Sequence, residues 1–258
     1  SSDACGGINR SGGSGSYSYA VKSGYENMPV TFVCWYDTIR FANWLQNGQG
    51  SGGTESGTYD ITSGGPNSGT VAIPTAETRA TWTAATKHWV LPSENEWYKA
   101  AYHQPTAQSG DPDNYWAYPT PTNTEPHSDN PASLDYPTNS ANFYRDDSTA
   151  NGYDDGHAVT GLTSYVSTQN YLTDVGAYAQ SGSFYGTFDQ GGNVWEWDEA
   201  LIGSSSRGLR GGGSVPDDPV SEHGSIGFRV ASVPEPGSLA MLLGIALTAL
   251  LYWWRKHV

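Results

Sequence analysis

The spacing of apolar and polar positions changes several times along this chain, and each change marks an element. In "NMPVTFVCWYDTIRFANWLQNGQG" the run Val30–Val33 is strand-like, after which Trp35, Ile39, Ala42 and Leu45 recur at helical spacing. Asn47-Gly48 closes that helix, because both residues tolerate the left-handed conformation that ends one. In "HWVLPSENEWYKAAYHQ" Ser93 and Glu96 form an S-x-x-E capping box, which predicts a second helix running to about His103. Glu94 and Glu96 fall in its first turn, where the helix dipole is sufficient reason for them. "RGLRGGGS" and "SIGFRVASV" predict two short core strands with a brief connection. Residues 50–70 read as a Gly/Ser/Thr loop of low complexity. Residues 104–187 read as a long irregular region, functional or else ordered by its own contacts. No internal repeat appears. The elements predict one α+β domain over residues 1–232 and a distinct tail over 233–258.

The tail has its own pattern. "LAMLLGIALTALLYWW", Leu239 to Trp254, carries no charge and no polar face, and "RKHV" follows it. A spanning helix needs about 17–25 apolar residues, and the flanking Gly-Ser and tryptophans extend this run toward that length. Arg255 and Lys256 then lie on the cytoplasmic side and the domain lies outside, anchored to the inner membrane by one C-terminal transmembrane helix.

Composition sharpens the domain reading. With 32 Gly, 15 Pro, 17 Tyr and 10 Trp, the chain turns often and builds its core from aromatic rings. A net charge of −14 with 12 basic residues excludes a nucleic-acid partner, since nothing would neutralise a phosphate backbone. The six histidines never pair at metal-ligand spacing, and there is neither a G-x-S-x-G elbow nor a phosphate loop. "DDSTANGYDDGH" is acidic but lacks the twelfth-position Glu of an EF-hand loop. Cys5 and Cys34 form no disulfide framework. Cys34 precedes a helix whose dipole would lower its thiol pKa, or it is simply a small buried residue. The chain begins "SSDAC", without Met or signal peptide, and reads as a piece of a longer one.

The stretch with the most pointed chemistry is "FDQGGNVWEWDEA", where Asp189 and Glu196 flank a Gly-Gly-Asn turn, Trp195 and Trp197. It reads either as an aromatic strand with a polar edge or as a grip on a cation.

Together "NMPVTFVCWYDTIRFANWL", "LPSENEWYKAAY", "SANFY", "YGTFDQGGNVWEW", "RGLRGGGS" and "IGFRVAS" resemble the formylglycine-generating enzyme, or sulfatase-modifying factor, family from about Gly6 to Val233. The resemblance implies a loop-rich variant of the C-type-lectin-like fold. It implies a structural calcium held by the side chains of Asp189 and Glu196 and the carbonyls of Gly192 and Val194. Trp195, Trp197, Asn193, Arg210 and Arg229 form the motif core. It also implies a second calcium site starting at the Asn142 side chain and the Phe143 carbonyl. There Ser167 stands where an Asp ligand belongs, with Asp155 as the alternative.

The family's oxidases bind copper(I) through two cysteines between the RGGS and GFR strands. "GGGSVPDDPVSEHGSIGFRV" has no cysteine, is shorter than the usual connection, and offers only His223. Copper and oxidase activity are therefore not expected. The family's N-terminal strand is also missing from the sequence given. In the tail, "VPEPGS" with Pro234, Glu235 and Pro236, the apolar span and the basic end resemble the bacterial PEP-CTERM sorting signal. That implies export, an exosortase-type partner, and a domain anchored outside the cytoplasm or released to the cell surface or matrix.

The expected function is a surface-associated, non-oxidase domain that binds a polysaccharide or protein ligand or serves matrix structure. Asp111–Asn123 ("DPDNYWAYPTPTN") is the leading patch. The alternatives are a formylglycine-generating oxidase acting on a sulfatase cysteine, and an adaptor that recruits sulfatases.

Overall fold

The computed structural model describes residues 3–62, 67–106, 113–211 and 213–233. The tail elements, including Pro234, Glu235, Pro236, Arg255 and Lys256, lie outside the described residues. Among the described residues no helix is long and apolar enough to cross a membrane. Among the described residues two compact units form, one within Ser1–Thr38 and Pro92–Arg229, the other within Ile39–Leu91 and Val230–Val258.

In chain order the elements are β1 (Ile8–Ser11), β2 (Ser18–Val21), α1 (Trp35–Gln46), α2 (Ala76–Ala80), β3 (His88–Val90), α3 (Glu94–Tyr102) and β4 (His127–Ser128). Then follow β5 (Ser140–Ala141), β6 (Tyr144–Asp146), β7 (Asp155–His157), β8 (Trp195–Ile202), β9 (Ser206–Arg210), β10 (Ser214–Asp217), β11 (Ile226–Phe228) and β12 (Ala231–Val233). This is the loop-rich α+β architecture that the composition predicts.

The first unit is organised by a four-stranded sheet in the order β10-β9-β8-β11. β9 runs antiparallel to β8, with a register shift between Trp197 and Leu201, whereas β11 runs parallel to it and sets Gly227 opposite Glu196. The first five residues of β8 read intermediate, buried, buried, buried, buried. Both faces of the strand are thus covered, and its alternation places Trp195 and Trp197 on one face and Glu196 and Asp198 on the other. Trp35, Trp97 and Trp197 are the largest fully buried side chains. The indole of Trp35 donates to the Asp198 carbonyl at 2.9 Å, and that of Trp197 to the Val33 carbonyl at 3.0 Å. Buried rings with a satisfied N–H are the aromatic core foreseen from composition. The long region contributes two small pairs, β4 with β5 and β6 with β7.

α3 begins where its capping box requires. Ser93 Oγ accepts the Glu96 N–H at 3.3 Å, and Glu96 Oε2 accepts the Ser93 N–H at 2.8 Å. The predicted strand Val30–Val33 does not form. Phe32 lies at φ 57, a left-handed conformation that breaks an extended run.

The second unit holds β12 antiparallel to β3, with Val233 opposite His88. Residues 53–59 of its low-complexity loop are held by Asn43 of α1 and by Asn47 just after it. Asn43 Nδ2 donates to the carbonyls of Thr54 and Tyr59, and Asn47 Nδ2 to those of Gly53 and Ser56. The buried Tyr59 accepts the Leu91 N–H on its hydroxyl at 2.9 Å. Of the helical face predicted for α1, Ile39 and Ala42 are buried in this unit.

Candidate functional site

The turn that precedes β8 is built by close approach. A Cβ at Gly192 would lie 2.4 Å from the Asn142 carbonyl oxygen, and one at Gly191 would lie 2.6 Å from Pro119 Cγ. Only glycine fits at either position. Asn193, at φ 67, then clamps a neighbouring segment. Its Oδ1 accepts the Thr173 N–H and its Nδ2 donates to the Thr173 carbonyl, each at 3.1 Å. Asn142 Nδ2 adds bonds to Asn193 Oδ1 at 3.1 Å and to the Tyr171 carbonyl at 2.8 Å. Asn142 and Asn193 therefore lock the turn from two sides.

Glu196 enters the core as a charge. It is 4% exposed, and both of its oxygens are engaged. Oε2 accepts the Trp97 indole N–H at 2.7 Å and also the Arg229 Nε–H. Oε1 accepts Arg229 Nη2 at 2.5 Å, so the pair is bidentate. Arg229 Nη2 also donates to the Phe188 carbonyl at 3.0 Å. Asp189 stands nearby without such a partner. Its Oδ2 accepts the Gly176 N–H at 2.7 Å. Burial raises its carboxyl pKa against the lowering effect of that N–H and of Arg229, and the Glu196 charge adds to the rise.

The four residues expected to hold calcium sit on one turn, but this arrangement does not make a calcium cage. Calcium requires about six to eight oxygens converging on one point. Here the Arg229 guanidinium supplies the positive charge at Glu196, and the Gly192 carbonyl accepts the Val194 N–H at 2.9 Å. The second expected site does not fit either. The Phe143 carbonyl accepts Ser128 Oγ at 2.7 Å, and Asp155 turns its carboxylate to the N–H groups of Asn151 and Gly152. The Ser167 carbonyl accepts the Ala4 N–H. Arg210, in the motif core, pairs with Glu94.

Two cavities share the Gly191–Gly192 turn, Asn142 and Phe143 as lining. The smaller, about 350 Å³, is bounded by Tyr102, Tyr118, Tyr178 and Asp189. The larger, about 630 Å³, lies within the usual range of small-molecule sites and is walled by rings. Phe32, Phe143, Tyr144, Tyr165, Tyr171 and Trp195 line it, with the imidazoles of His157 and His223. Tyr165 stacks on Tyr171 at 5.0 Å, and His157 meets Tyr171 edge-on at 4.6 Å. Tyr144 and Tyr165 expose their rings to solvent, at 48% and 55%. Among the described residues Asp3 is the one carboxylate in the lining, its Oδ2 accepts the Tyr165 hydroxyl at 2.7 Å, and no Lys or Arg lines the cavity. Phe32 reaches it from its left-handed conformation, with its N–H bound to the His223 carbonyl at 3.1 Å. A bulky residue held there is strained, and such strain collects at binding sites.

The two cysteines part company. Cys5 lines the larger cavity with His223, and a Cβ at Gly224 would lie 3.3 Å from Cys5 Cβ. Sequence reading missed this proximity, because Cys5 is remote in sequence from the segment it touches. Cys34 does not line that cavity, and its thiol is not activated. Burial pushes its pKa up to about 11, outweighing the N-terminal backbone, and Asp37 accepts the S–H at 3.2 Å. Among the described residues, Cys34, Asp37 and Glu222 are one group of three metal-type donors, with atoms within 4.8 Å of one another.

The patch expected at Asp111–Asn123 is mostly half-buried. Its first two residues lie outside the described ones, Tyr115 stacks on Tyr98 at 5.4 Å, and the Trp116 indole donates to Gln104 at 2.6 Å. Only Tyr118, Pro119, Thr120 and Ala117 from this stretch reach a cavity.

The sulfatase-modifying factor enzyme 1-like domain model matches residues 6–233. The chain belongs to this family. A search of curated proteins finds no match. Among solved structures the chain is similar to CarF, at 18% identity over 83% of this chain and 70% of that one, with a TM-score of 0.44. It is also similar to Treponema denticola variable protein 1, at 21% identity over 84% of this chain and 74% of that one, with a TM-score of 0.40. The family's GGNVWEW-type segment here comprises the turn, the clamp and the Glu196–Arg229 pair.

Proposed function

We propose that this family member is an exported binding domain whose larger cavity takes a neutral saccharide. The observation that carries this reading is the wall of aromatic rings with no Lys or Arg beside them among the described residues. Aromatic faces stack on the C–H faces of a sugar ring, and exposed tyrosine edges offer hydroxyls to its polar rim. An anionic sugar would find no cation there to compensate its charge. Oxidase chemistry of the family type needs two thiolates, and Cys5 is the single thiol in the cavity, its pKa raised by burial. The tail from residue 233 is the export address, and fractionation of cells expressing the chain with and without it tests that placement.

The binding test is calorimetry against neutral and uronic-acid oligosaccharides of matched length. A neutral ligand is expected to bind, and Trp195→Ala to weaken it at least tenfold, about 1.4 kcal/mol. No neutral saccharide binding to the folded protein would sink the reading. The second reading, an oxidase, draws on Cys5 and His223 sharing the cavity. Aldehyde formed on a cysteine peptide supplied with copper and oxygen would replace the first reading with it.

A further inference from the structure

We propose that the chain associates with a second copy of itself, the β1–β2 hairpin of one molecule docking on the acidic turn that follows β10 in the other. Among the described residues β1 and β2 pair only with each other, and every residue of both is exposed. A lone two-stranded hairpin is marginal in water unless one of its faces is covered. The register sets Ile8 opposite Val21 and Arg10 opposite Tyr19, so these four side chains share one face. Ile8, Val21 and Tyr19 are 45%, 55% and 65% exposed. Residues 4–25 hold Arg10 and Lys22 and no carboxylate, in a chain whose net charge is −14. Arg10 lies over the Tyr17 ring at 4.5 Å and Lys22 over the Tyr25 ring at 5.8 Å, so both cations are held in place without a salt bridge among the described residues. Asp3 feels the Lys22 charge, but its two oxygens are engaged by the Cys5 N–H and the Tyr165 hydroxyl.

A face of this kind calls for a partner that is acidic and partly apolar, and the chain carries one elsewhere. β10 is an edge strand, and residues 211–222 hold Asp217, Asp218 and Glu222 with no Lys or Arg. Ser221 Oγ donates to Asp217 Oδ1 and the Val220 N–H to Asp218 Oδ1, each at 3.0 Å, which folds this stretch into one turn. The exposed Glu222 carboxylate lies within 4.8 Å of an Asp37 oxygen, so a fourth carboxylate joins the patch. Val215 and Val220, 41% and 48% exposed, supply its apolar surface. Pro216 removes a backbone donor from β10, so the patch meets the hairpin through side chains rather than by adding a strand. Charges are screened beyond about 8 Å at physiological ionic strength, so each patch responds to the charge close to it and not to the −14 of the whole chain. Cation then meets carboxylate and aliphatic meets aliphatic. A contact between unlike patches either closes as a ring of copies or continues from copy to copy. Residues 8–22 and 215–222 do not line the larger cavity, so association and saccharide binding are separable.

Sedimentation equilibrium of the full chain, in a mild detergent that covers the apolar run of residues 239–254, measures the association. A concentration-dependent dimer or longer assembly is expected below about 0.1 mM. Arg10 and Glu222 are exposed, so Arg10→Glu and Glu222→Lys should fold, and each alone should weaken association at least tenfold. Mixed together, the two variants should associate again, because the intact hairpin of the Glu222→Lys chain meets the intact turn of the Arg10→Glu chain. Tyr19→Ser, which changes no charge, should weaken association severalfold. A parent that stays monomeric at that concentration, variants that associate as the parent does, or a mixture that does not regain association overturns the proposal. Association through the apolar run alone would appear as the second of these outcomes. Binding of a monomeric parent to vesicles of equal parts phosphatidylglycerol and phosphatidylcholine, lost in Arg10→Glu, would assign the hairpin to an anionic membrane and also overturn it.

Discussion

Replacing Glu196 by Gln separates a charge from a shape. The glutamine keeps an oxygen for the Trp97 indole, now 2.7 Å from Oε2, and nearly the same volume. What it removes is the negative charge opposite Arg229. Breaking a fully buried pair costs about 3–5 kcal/mol, because the surviving ion is stranded. Here the side chains are unequally covered, 6% exposed for Glu196 and 25% for Arg229, so water reaches the guanidinium in part. The expected cost is therefore about 2–3 kcal/mol, toward the low side of that range. For a protein of this size that lowers Tm by about 5–10 °C.

Urea unfolding followed by tryptophan fluorescence measures the cost. The double variant Glu196→Gln/Arg229→Met should recover part of it, since neither ion is then stranded. A cost below about 1 kcal/mol, or singles that simply add in the double variant, would refute the pairing. Calcium gives an independent refutation. A bound cation stabilises the native state by about 2.7 kcal/mol at a hundredfold excess over Kd. A calcium-dependent rise in Tm that Glu196→Gln abolishes would mean that the carboxylate holds the ion and not Arg229.

Two further substitutions probe the same strand and its turn. The Asp198 carboxyl is raised to about 6, first by burial, against lowering from the Ala200 N–H and Arg207, while its unfolded value is near 3.8. The native state thus holds the proton more tightly, so stability is highest below about pH 4, falls as pH rises through 4–6, and stays reduced above. Asp198→Asn should remove this fall and gain about 3 kcal/mol relative to the parent at pH 7.5, read from urea midpoints at pH 4.5 and 7.5; parallel pH profiles would contradict it. Gly192→Ala places a methyl 2.4 Å from the Asn142 carbonyl oxygen and should cost about 1–3 kcal/mol, whereas Gly13→Ala, with nothing within 4 Å, should be neutral in the same unfolding assay.

What could be read from sequence was what depends on neighbours in the chain. The capping box of Ser93 and Glu96 spans three residues and fixes the start of α3 by itself. The core strands around RGLR and GFR were legible for the same reason, since each is short and carries a buried apolar side chain, Leu209 in β9 and Ile226 in β11. Partners far apart in the chain were not legible. Glu196 finds Trp97 at a separation of 99 residues and Arg229 at 33, so its charge looked available for a metal. Asn43 ordering the Gly/Ser/Thr loop was hidden because an asparagine in a helix carries no sign of what it will bind. Phe32 was misread as strand because apolar spacing says nothing about the sign of φ. Of the two readings open for Cys34, the small buried residue is the one the structure bears out, and burial rather than the helix dipole decides its thiol.

The segment that carries family membership and the residues that face the cavities have different jobs. Gly191 and Gly192 make a wall shared by both cavities, and the bonds of Asn193 with Asn142 and Thr173, and of Arg229 with Phe188, hold the turn in place. Most rings that would meet a ligand come from other places: Phe32 before α1, Tyr144 on β6, and Tyr165 and Tyr171 in the stretch before the turn. Loops tolerate change where a clamped strand does not. A protein can therefore keep the family's motif to hold its scaffold while its loop residues set a different chemistry. Turn substitutions such as Gly192→Ala should lower stability and binding at the larger cavity together. Trp195→Ala should weaken binding there, because the residue lines that cavity.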